Sequence, residues 1–238
     1  MPRKSYRQHC GVARALDVVG ERWTLLIVRN LLLGPRRYSD LLAELPGITT
    51  NLLAKRLREL EAAALLVKEE WPRPLAASAY RLSPQGAALE PVIMELGRWG
   101  SPLLGNLRPG DTFNLGWALL SLKRRYRGGL SATLEVRAGE RRFTLKFDER
   151  ALSVAERAAD RPDLVLMGSE KALRTLLIQS QPLARLHGEV ELLGSVALWP
   201  QIESALAPPL VPNAVAQTLL TTRRKLSKRN ISVSSKRS

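Results

Sequence analysis

The amino-acid sequence predicts an α+β protein of two units, in which a mainly helical unit closed by a hairpin precedes a unit with a mainly antiparallel sheet. Two observations support this prediction. Apolar residues recur at helical spacing between Gly11 and Leu66, whereas they alternate with polar residues in two segments after Gly129. A chain of 238 residues, 45% of them hydrophobic, is long enough to bury a core in each unit.

The first unit, residues 1–107, is predicted to contain helices on both sides of a hairpin. The helices are residues 12–19, 22–33, 38–45, 49–66 and 83–104, and the extended segments are residues 67–71 and 79–82. Gly34-Pro35 ends the second helix, Thr49 caps the fourth, and Ser83-Pro84 starts the last. The order helix, turn, helix, hairpin is typical of a winged helix-turn-helix domain.

The second unit, residues 108–210, begins where Pro109-Gly110 breaks the chain. Its predicted helices are residues 113–126, with Asp111 or Thr112 as the cap, 169–179 and 196–206; its predicted strands are residues 130–136, 141–147, 151–156 and 164–167. Residues 190–193 remain ambiguous. Residues 211–238 form a basic tail with too few apolar residues to fold on its own.

The formal charge of +15 at pH 7 favours a polyanionic partner, such as nucleic acid or an anionic membrane surface. This charge is unevenly placed, because residues 223–238 carry seven lysines and arginines and no acidic residue. Two interpretations of the tail stay open. It is either an arm that adds phosphate contacts or an end that keeps the chain in solution.

The fourth predicted helix has one apolar and one basic face. Its apolar face holds Leu53, Leu57 and Leu60, and its basic face holds Asn51, Lys55 and Arg58. An amphipathic helix with a basic solvated face is common in proteins. Here, however, it follows a short helix and a turn and precedes a hairpin, and this arrangement favours insertion into the major groove of double-stranded DNA.

Base contacts are predicted for Thr50, Asn51 and Lys55, because asparagine suits adenine and lysine suits guanine. Phosphate contacts are predicted around the start of the third helix, further along the fourth helix and on the hairpin. The complete predicted DNA-binding set is Arg36, Arg37, Ser39, Thr49, Thr50, Asn51, Lys55, Arg56, Arg58 and Arg73.

Motifs spread from Cys10 to Gly100 resemble the HxlR family of bacterial winged-helix regulators. They are Gly20-Glu21-Arg22-Trp23-Thr24-Leu25-Leu26-Ile27, Arg37-Tyr38-Ser39-Asp40-Leu41, Leu45-Pro46-Gly47-Ile48-Thr49, Leu57-Arg58-Glu59-Leu60, Tyr80-Arg81-Leu82 and Trp99-Gly100. The hairpin run from Pro74 to Tyr80 departs from the family pattern. The resemblance implies transcription regulation by a homodimer, which the first and last helices of the domain would form, with two recognition helices in successive major grooves.

Cys10 is the single cysteine, so the chain cannot form an intramolecular disulfide or a site with several thiolates. We expect a cytoplasmic protein that is neither exported nor inserted in a membrane. By resemblance, Cys10 corresponds to the cysteine that senses oxidants or electrophiles in some HxlR members, and nearby His9 and Arg7 could lower its pKa. The alternative is a small buried cysteine.

A second resemblance covers the second unit. Phe147-Asp148 and residues 162–168, 173–177 and 188–194 are similar to the sterol carrier protein fold, which implies an apolar or amphipathic ligand such as a lipid, an acyl chain or an aromatic metabolite. The alternative is that the same side chains fill an ordinary core. The candidate lining residues are Phe113, Trp117, Phe143, Leu145, Phe147, Leu164, Leu166 and Leu177.

We therefore expect a homodimeric, DNA-binding transcriptional regulator that a small apolar ligand modulates through the helix at residues 83–104. The alternatives are a lipid-binding or lipid-transfer protein that uses a basic surface at membranes, and a redox-sensing regulator through Cys10. We expect no enzyme, cofactor or metal, because His9 and His187 are the only histidines and neither a nucleophile–base arrangement nor a phosphate-binding loop is recognisable.

Overall fold

The structure, a computed structural model, describes residues 5–70, 78–104 and 109–206. Arg73, the predicted boundary at residues 107 and 108, and the basic tail lie outside these ranges. No helix in the three described ranges is long and apolar enough to cross a membrane.

The first unit contains six α-helices, three short strands and a 3-10 turn, Ser101–Leu103, in its described part. They are α1 (Gly11–Val19), α2 (Thr24–Leu31), β1 (Arg36–Arg37), α3 (Tyr38–Glu44), α4 (Thr50–Ala62), β2 (Leu66–Glu70), β3 (Ser78–Leu82), α5 (Pro84–Ala87) and α6 (Glu90–Gly100). The strands form a sheet in the order β1-β3-β2, and both pairs are antiparallel. The predicted helix-turn-helix and hairpin are confirmed, whereas β1 was not predicted.

The core of the first unit joins α2, α3 and α4 to the hairpin. The periodicity of α4 placed Leu53, Leu57 and Leu60 on its packing face, and the structure confirms this, since each is at most 2% exposed. The other members of this core are Val19, Ile27, Leu31, Leu41, Leu45, Ile48, Leu65 and Leu66. The apolar contacts therefore hold α4 by one face and leave its opposite face to solvent.

The single helix predicted after Ser83 is wrong, because the structure breaks it into α5 and α6. Ser83 does cap α5, accepting a hydrogen bond from the backbone N–H of Gly86 at 3.0 Å. Pro91 lies in the first turn of α6, where a backbone N–H would have no partner within the helix. In the interior of one continuous helix, proline would remove a hydrogen bond and collide with the preceding turn. Helix α4 also ends earlier than predicted, because Ala64 adopts a left-handed backbone with φ of 57°.

The second unit is a five-stranded sheet with helices packed against it. Its elements are α7 (Leu115–Leu122), β4 (Ala132–Ala138), β5 (Arg141–Phe147), β6 (Leu152–Ala155), β7 (Leu164–Gly168), α8 (Glu170–Leu173), β8 (Val190–Gly194) and α9 (Trp199–Ala205). The strand order is β6-β5-β4-β7-β8, and only the β4–β7 pair is parallel. The mainly antiparallel sheet was predicted, and the ambiguous residues 190–193 belong to β8.

All three predicted helices of this unit differ from the structure, and the last, predicted over residues 196–206, begins with a 3-10 turn, Val196–Leu198, before α9. The first starts at Leu115 and not at residue 113, because Asn114 is its cap and accepts a hydrogen bond from the N–H of Gly116 at 2.8 Å. The second is α8 followed by a π-helical turn, Arg174–Ile178, and not one regular helix over residues 169–179. Such turns insert a residue into a helix and are frequent at functional sites.

The two units share side chains at their junction. Leu33, which follows α2, is 1% exposed and packs in the hydrophobic core of the second unit. It lies against Gly116 of α7, where an added Cβ would come within 2.7 Å of a Leu33 methyl carbon and 3.2 Å of the Phe143 ring. The close approach of α7 to the first unit therefore requires glycine at this position.

Substitution of Gly116 by alanine is expected to lower the free energy of unfolding by about 1–3 kcal/mol, because the added methyl group overpacks the junction. Urea unfolding followed by circular dichroism measures this change. Gly11→Ala is the matched control, since nothing lies within 4 Å of the added carbon, and we expect a change within about 0.5 kcal/mol. Equal stability of the two variants would contradict this account of the junction.

Candidate nucleic-acid interface

The exposed face of α4 is set by a capped start and a buried opposite side. Thr49 precedes the helix in an extended conformation, and its hydroxyl accepts a hydrogen bond from the N–H of Leu52 at 3.3 Å. The turn before it uses Gly47 with a φ of 91°, a conformation that side chains disfavour. The sequence therefore fixes where α4 begins, and so which residues lie in its first turns.

The structure places Thr50, Asn51, Lys55 and Arg58 together in solvent on α4, as the sequence predicted. Lys55 lies 3.9 Å from Glu59 on the next turn, an exposed contact of little energetic weight. Asn51 and Arg58 form no side-chain hydrogen bond or ion pair with the residues that the structure describes. Donors of this kind on a helix face are free to bind acceptors on base edges and phosphates.

Tyr38 is a positioning residue that the sequence analysis did not single out. It begins α3, and its hydroxyl donates a hydrogen bond to the backbone carbonyl of Thr50 at 2.7 Å. This bond joins the start of α3 to the first turn of α4. Its signal in the sequence was the Arg-Tyr-Ser-Asp motif, but the partner, a main-chain oxygen twelve residues away, is visible only in the fold.

The start of α3 presents Arg37 and Ser39 to solvent, near the first turn of α4. The backbone N–H of Arg37 donates to the carboxylate of Asp40 at 3.0 Å, and its guanidinium lies 3.2 Å from the same carboxylate. Both predicted phosphate ligands are therefore accessible. Arg37 is already ion-paired, however, so a phosphate would compete with Asp40 or join it.

Arg56 was predicted to contact DNA, and the structure corrects this. Its side chain is 9% exposed and its guanidinium binds Glu59 and, at 2.8 Å, Glu21. Successive residues of an α-helix are 100° apart, so Arg56 lies next to Leu53 and Leu60 rather than beside Lys55. Its role is to join α4 to the segment before α2.

Arg36 was also predicted to contact phosphate, and the structure corrects this as well. It is 7% exposed, and its guanidinium binds Glu156 of the second unit and lies 3.4 Å from the carboxylate of Glu44. Burial raises the pKa of Glu44, and the positive charge of Arg36 acts in the opposite direction. Residues alternate in direction along a strand, so Arg36 of β1 points inward and Arg37 points outward.

All eight predicted ligand-lining residues belong to the core of the second unit or pack against it. Phe113 and Trp117 lie partly buried at its edge. Phe143, Leu145, Phe147, Leu164 and Leu166 are at most 1% exposed, because they point from the sheet into tightly packed side chains. Only Leu177 of the predicted set lines the cavity described next.

The cavity lies between the π-helical turn and α9 and has a volume of about 210 Å³. The indole N–H of Trp199 is buried there without a hydrogen-bond partner among the residues that the structure describes. The guanidinium of Arg125 donates to the carbonyl of Leu177 at 2.8 Å and to the Ser180 hydroxyl at 2.7 Å, and burial lowers its pKa. The lining residues are Arg125, Leu176, Leu177, Ser180, Trp199, Glu203 and Leu206.

Cys10 lies at the start of α1, where it is exposed and has no disulfide partner. The backbone N–H groups of Ala13 and Val12 stabilise its thiolate and lower its pKa. The buried alternative is therefore wrong. A thiol at a helix N-terminus with a lowered pKa is chemically suited to oxidation.

Because Arg56 is buried and Arg58 is exposed, the same substitution is expected to change the free energy of unfolding by different amounts at the two positions. Arg56→Met is expected to lower the free energy of unfolding by about 1 kcal/mol, because Glu59 and Glu21 lose a partner although solvent partly compensates them. Arg58→Met, on the exposed face one residue beyond Leu57, is expected to change it by less than about 0.5 kcal/mol. Chemical denaturation of both variants under identical conditions tests this; a larger loss for Arg58→Met would refute the assignment of the two faces.

Comparison with known proteins places the first unit in a family. Residues 18–107 match the family model described as HxlR-like helix-turn-helix. The uncharacterized HTH-type transcriptional regulator YvaP of Bacillus subtilis is 34% identical over 88 residues, which cover 37% of this chain and 82% of that protein. The HTH-type transcriptional regulator YodB of the same organism is 33% identical over 98 residues, covering 41% of this chain and 85% of that one.

Solved structures include the reduced form of YodB from B. subtilis, which is 30% identical. Its superposition covers 44% of this chain and all of that chain, with a TM-score of 0.36. The family relationship rests on sequence, since more than two thirds of YvaP and of YodB aligns at more than 30% identity. The chain belongs to the HxlR-like helix-turn-helix family.

Proposed function

We propose that this protein is a sequence-specific, double-stranded-DNA-binding transcriptional regulator, and that α4 is its recognition helix. The observation that carries the proposal is the exposed polar face of α4, on which Thr50, Asn51, Lys55 and Arg58 lie together while the opposite face is buried. A helix of 13 residues held in this way can enter a major groove and present its first turns to base edges. Arg37, Ser39 and Thr49 lie beside it as the proposed phosphate contacts, and Arg73, which is outside the described residues, remains part of this proposal.

The proposed functional form is a homodimer that uses α1 and α6. None of the residues of α6 is buried within one chain, and Val92, Leu96 and Trp99 are 46%, 53% and 73% exposed. Val12 and Leu16 of α1 are exposed as well. Apolar side chains at helical spacing on two solvent-facing helices favour association with another apolar surface.

We further propose that the second unit, as a sterol-carrier-like domain over residues 108–210, binds a small apolar or amphipathic ligand. The cavity beside the π-helical turn supports this, since most of its lining residues are apolar. Of the residues predicted from the sequence, Leu177 would contact the ligand, and the others would form the packed layer behind it.

Asn51→Ala and Lys55→Ala are each expected to lower the affinity for selected DNA by about five- to 150-fold, because a good base contact contributes about 1–3 kcal/mol. The measurement is selection from a library of random double-stranded DNA, followed by fluorescence anisotropy with the selected sites. Lys171→Ala, an exposed lysine of α8 away from α4, is the matched control and should bind like the unaltered protein.

Failure of the unaltered protein to enrich any DNA sequence would overturn the proposed function. Binding to vesicles of anionic phospholipid that survives Asn51→Ala with Lys55→Ala would then favour the lipid-transfer alternative. Retained sequence selection in both single variants would instead show that another surface reads DNA.

A second candidate function, oxidant sensing, is favoured by the exposure and the lowered thiol pKa of Cys10. Hydrogen peroxide and diamide are expected to release the unaltered protein from selected DNA, and Cys10→Ser is expected to remain bound under the same treatment. Mobility-shift assays with and without reductant measure this. The same release in both proteins would remove Cys10 from the proposal.

A further inference from the structure

The second unit contacts the first at two separate places, and α7 takes part in both. The first contact involves the segment between α2 and α3, and the second involves α6. The first contact therefore adjoins the helix-turn-helix, and the second adjoins the proposed dimer helix α6. We call the first the Arg36 contact and the second the Lys123 contact.

The Arg36 contact is a chain of charged groups that crosses from one unit to the other. The guanidinium of Arg36 binds one oxygen of Glu156, and the other oxygen of Glu156 accepts from Arg141 at 2.7 Å. Arg141 in turn lies 3.0 Å from Glu170. A main-chain hydrogen bond of 2.7 Å from Glu156 to the carbonyl of Leu33 fixes the backbone next to this chain. The side chains of Arg36 and Glu156 are only 8% and 18% exposed, so little solvent is available to replace either partner.

Neighbouring contacts reinforce the Arg36 contact at the end of α2. The indole N–H of Trp117 donates to the side-chain oxygen of Asn30 at 2.8 Å, and the guanidinium of Arg29 lies 3.7 Å above the Trp117 ring. Burial lowers the pKa of Arg29 to about 10, which still leaves it positively charged at neutral pH. A cation over an indole face is a directional attraction, so it fixes an orientation as well as a distance.

The Lys123 contact joins the other end of α7 to α6. The ammonium of Lys123 binds the carboxylate of Glu90, and the guanidinium of Arg124 donates to the Ser101 hydroxyl at 3.1 Å. Arg124 also lies against Gly97, where any side chain would collide with it. Helix α7 is thus held to α2 through Trp117 and to α6 through Lys123 and Arg124.

We propose that the second unit holds α3 and the recognition helix α4 at a fixed angle to α6. It would thereby set the spacing between the two DNA half-sites to which the dimer binds. This proposal rests on the proposed function, because it requires that α4 reads DNA and that α6 forms the dimer. In a two-fold dimer the separation of the recognition helices follows from the angle between each one and the dimer helix. The buried Arg36–Glu156 pair, the Trp117–Asn30 hydrogen bond and the partly exposed Lys123–Glu90 pair together resist change of that angle.

The experiment is selection of half-site spacing by the full-length protein from double-stranded DNA with about 40 random base pairs, enough for two half-sites at several separations. The unaltered protein is expected to enrich a paired half-site with one dominant spacing. Glu156→Gln and Lys123→Met, one at each contact, are each expected to keep the half-site motif and to reduce the preference for that spacing by about fivefold or more.

Glu170→Gln is the matched control, because Glu170 belongs to the same charged chain but contacts only Arg141 within the second unit. It should select the same spacing as the unaltered protein. Thermal unfolding of all variants verifies that they are folded, and should Glu156→Gln unfold, Lys123→Met alone decides the test.

The outcomes separate the two proposals. No enriched sequence for the unaltered protein would refute DNA reading itself. Enriched half-sites without a preferred spacing, or the same dominant spacing in Glu156→Gln and Lys123→Met, would overturn the role of the second unit while leaving DNA reading intact. An equal loss of the spacing preference in Glu170→Gln would also overturn the role of the second unit. The effect would then come from general loosening of that unit.

Discussion

The buried guanidinium of Arg36 ties the two halves of this protein to each other. Transfer of a charged side chain from water into a packed interior is unfavourable unless partners compensate it, and here the partners are Glu44 in the first unit and Glu156 in the second. Removing one partner of such a buried pair typically costs about 3–5 kcal/mol. Separation of the units would break the Arg36–Glu156 pair, although Arg36 would keep Glu44 and Glu156 would keep Arg141, and it would also expose Leu33. The orientation of the helix-turn-helix is therefore a property of the whole chain.

A two-residue strand divides this structural role of Arg36 from the proposed phosphate-binding role of Arg37. In β1, Arg36 pairs with Tyr80 and Arg37 with Ala79, and the alternation of a strand sends the two arginines in opposite directions. One neighbour is buried against the second unit, and the other is exposed beside α4. Two adjacent arginines look equivalent in the sequence, because the strand that separates their roles exists only through pairing with residues more than forty positions away.

Local patterns in the sequence predicted those parts of the fold that local forces determine. Leucine spacing gave the buried face of α4, Thr49 and Ser83 gave two helix starts, and alternation gave β4 and β5. The break between α5 and α6 could have been found from Pro91. The helical spacing that placed Leu53 and Leu60 could also have placed Arg56 on the buried face, whereas its partner Glu21, which lies before α2, is visible only in the fold. Core and cavity residues of the second unit were likewise indistinguishable, since both are apolar and only packing separates Leu166 from Leu177.

The cavity and the junction are physically connected through shared elements. Arg125, which follows α7, binds the carbonyl groups of the π-helical turn that lines the cavity. Helix α7, which precedes Arg125, carries Trp117, whose indole N–H donates to the side-chain oxygen of Asn30 in α2 at 2.8 Å. A ligand influences DNA binding only if it binds two arrangements of the protein with different affinity. Because Arg125 joins the wall of the cavity to the end of α7, the proposed ligand would reach the contacts with α2, and through them the proposed recognition helix, by displacing α7.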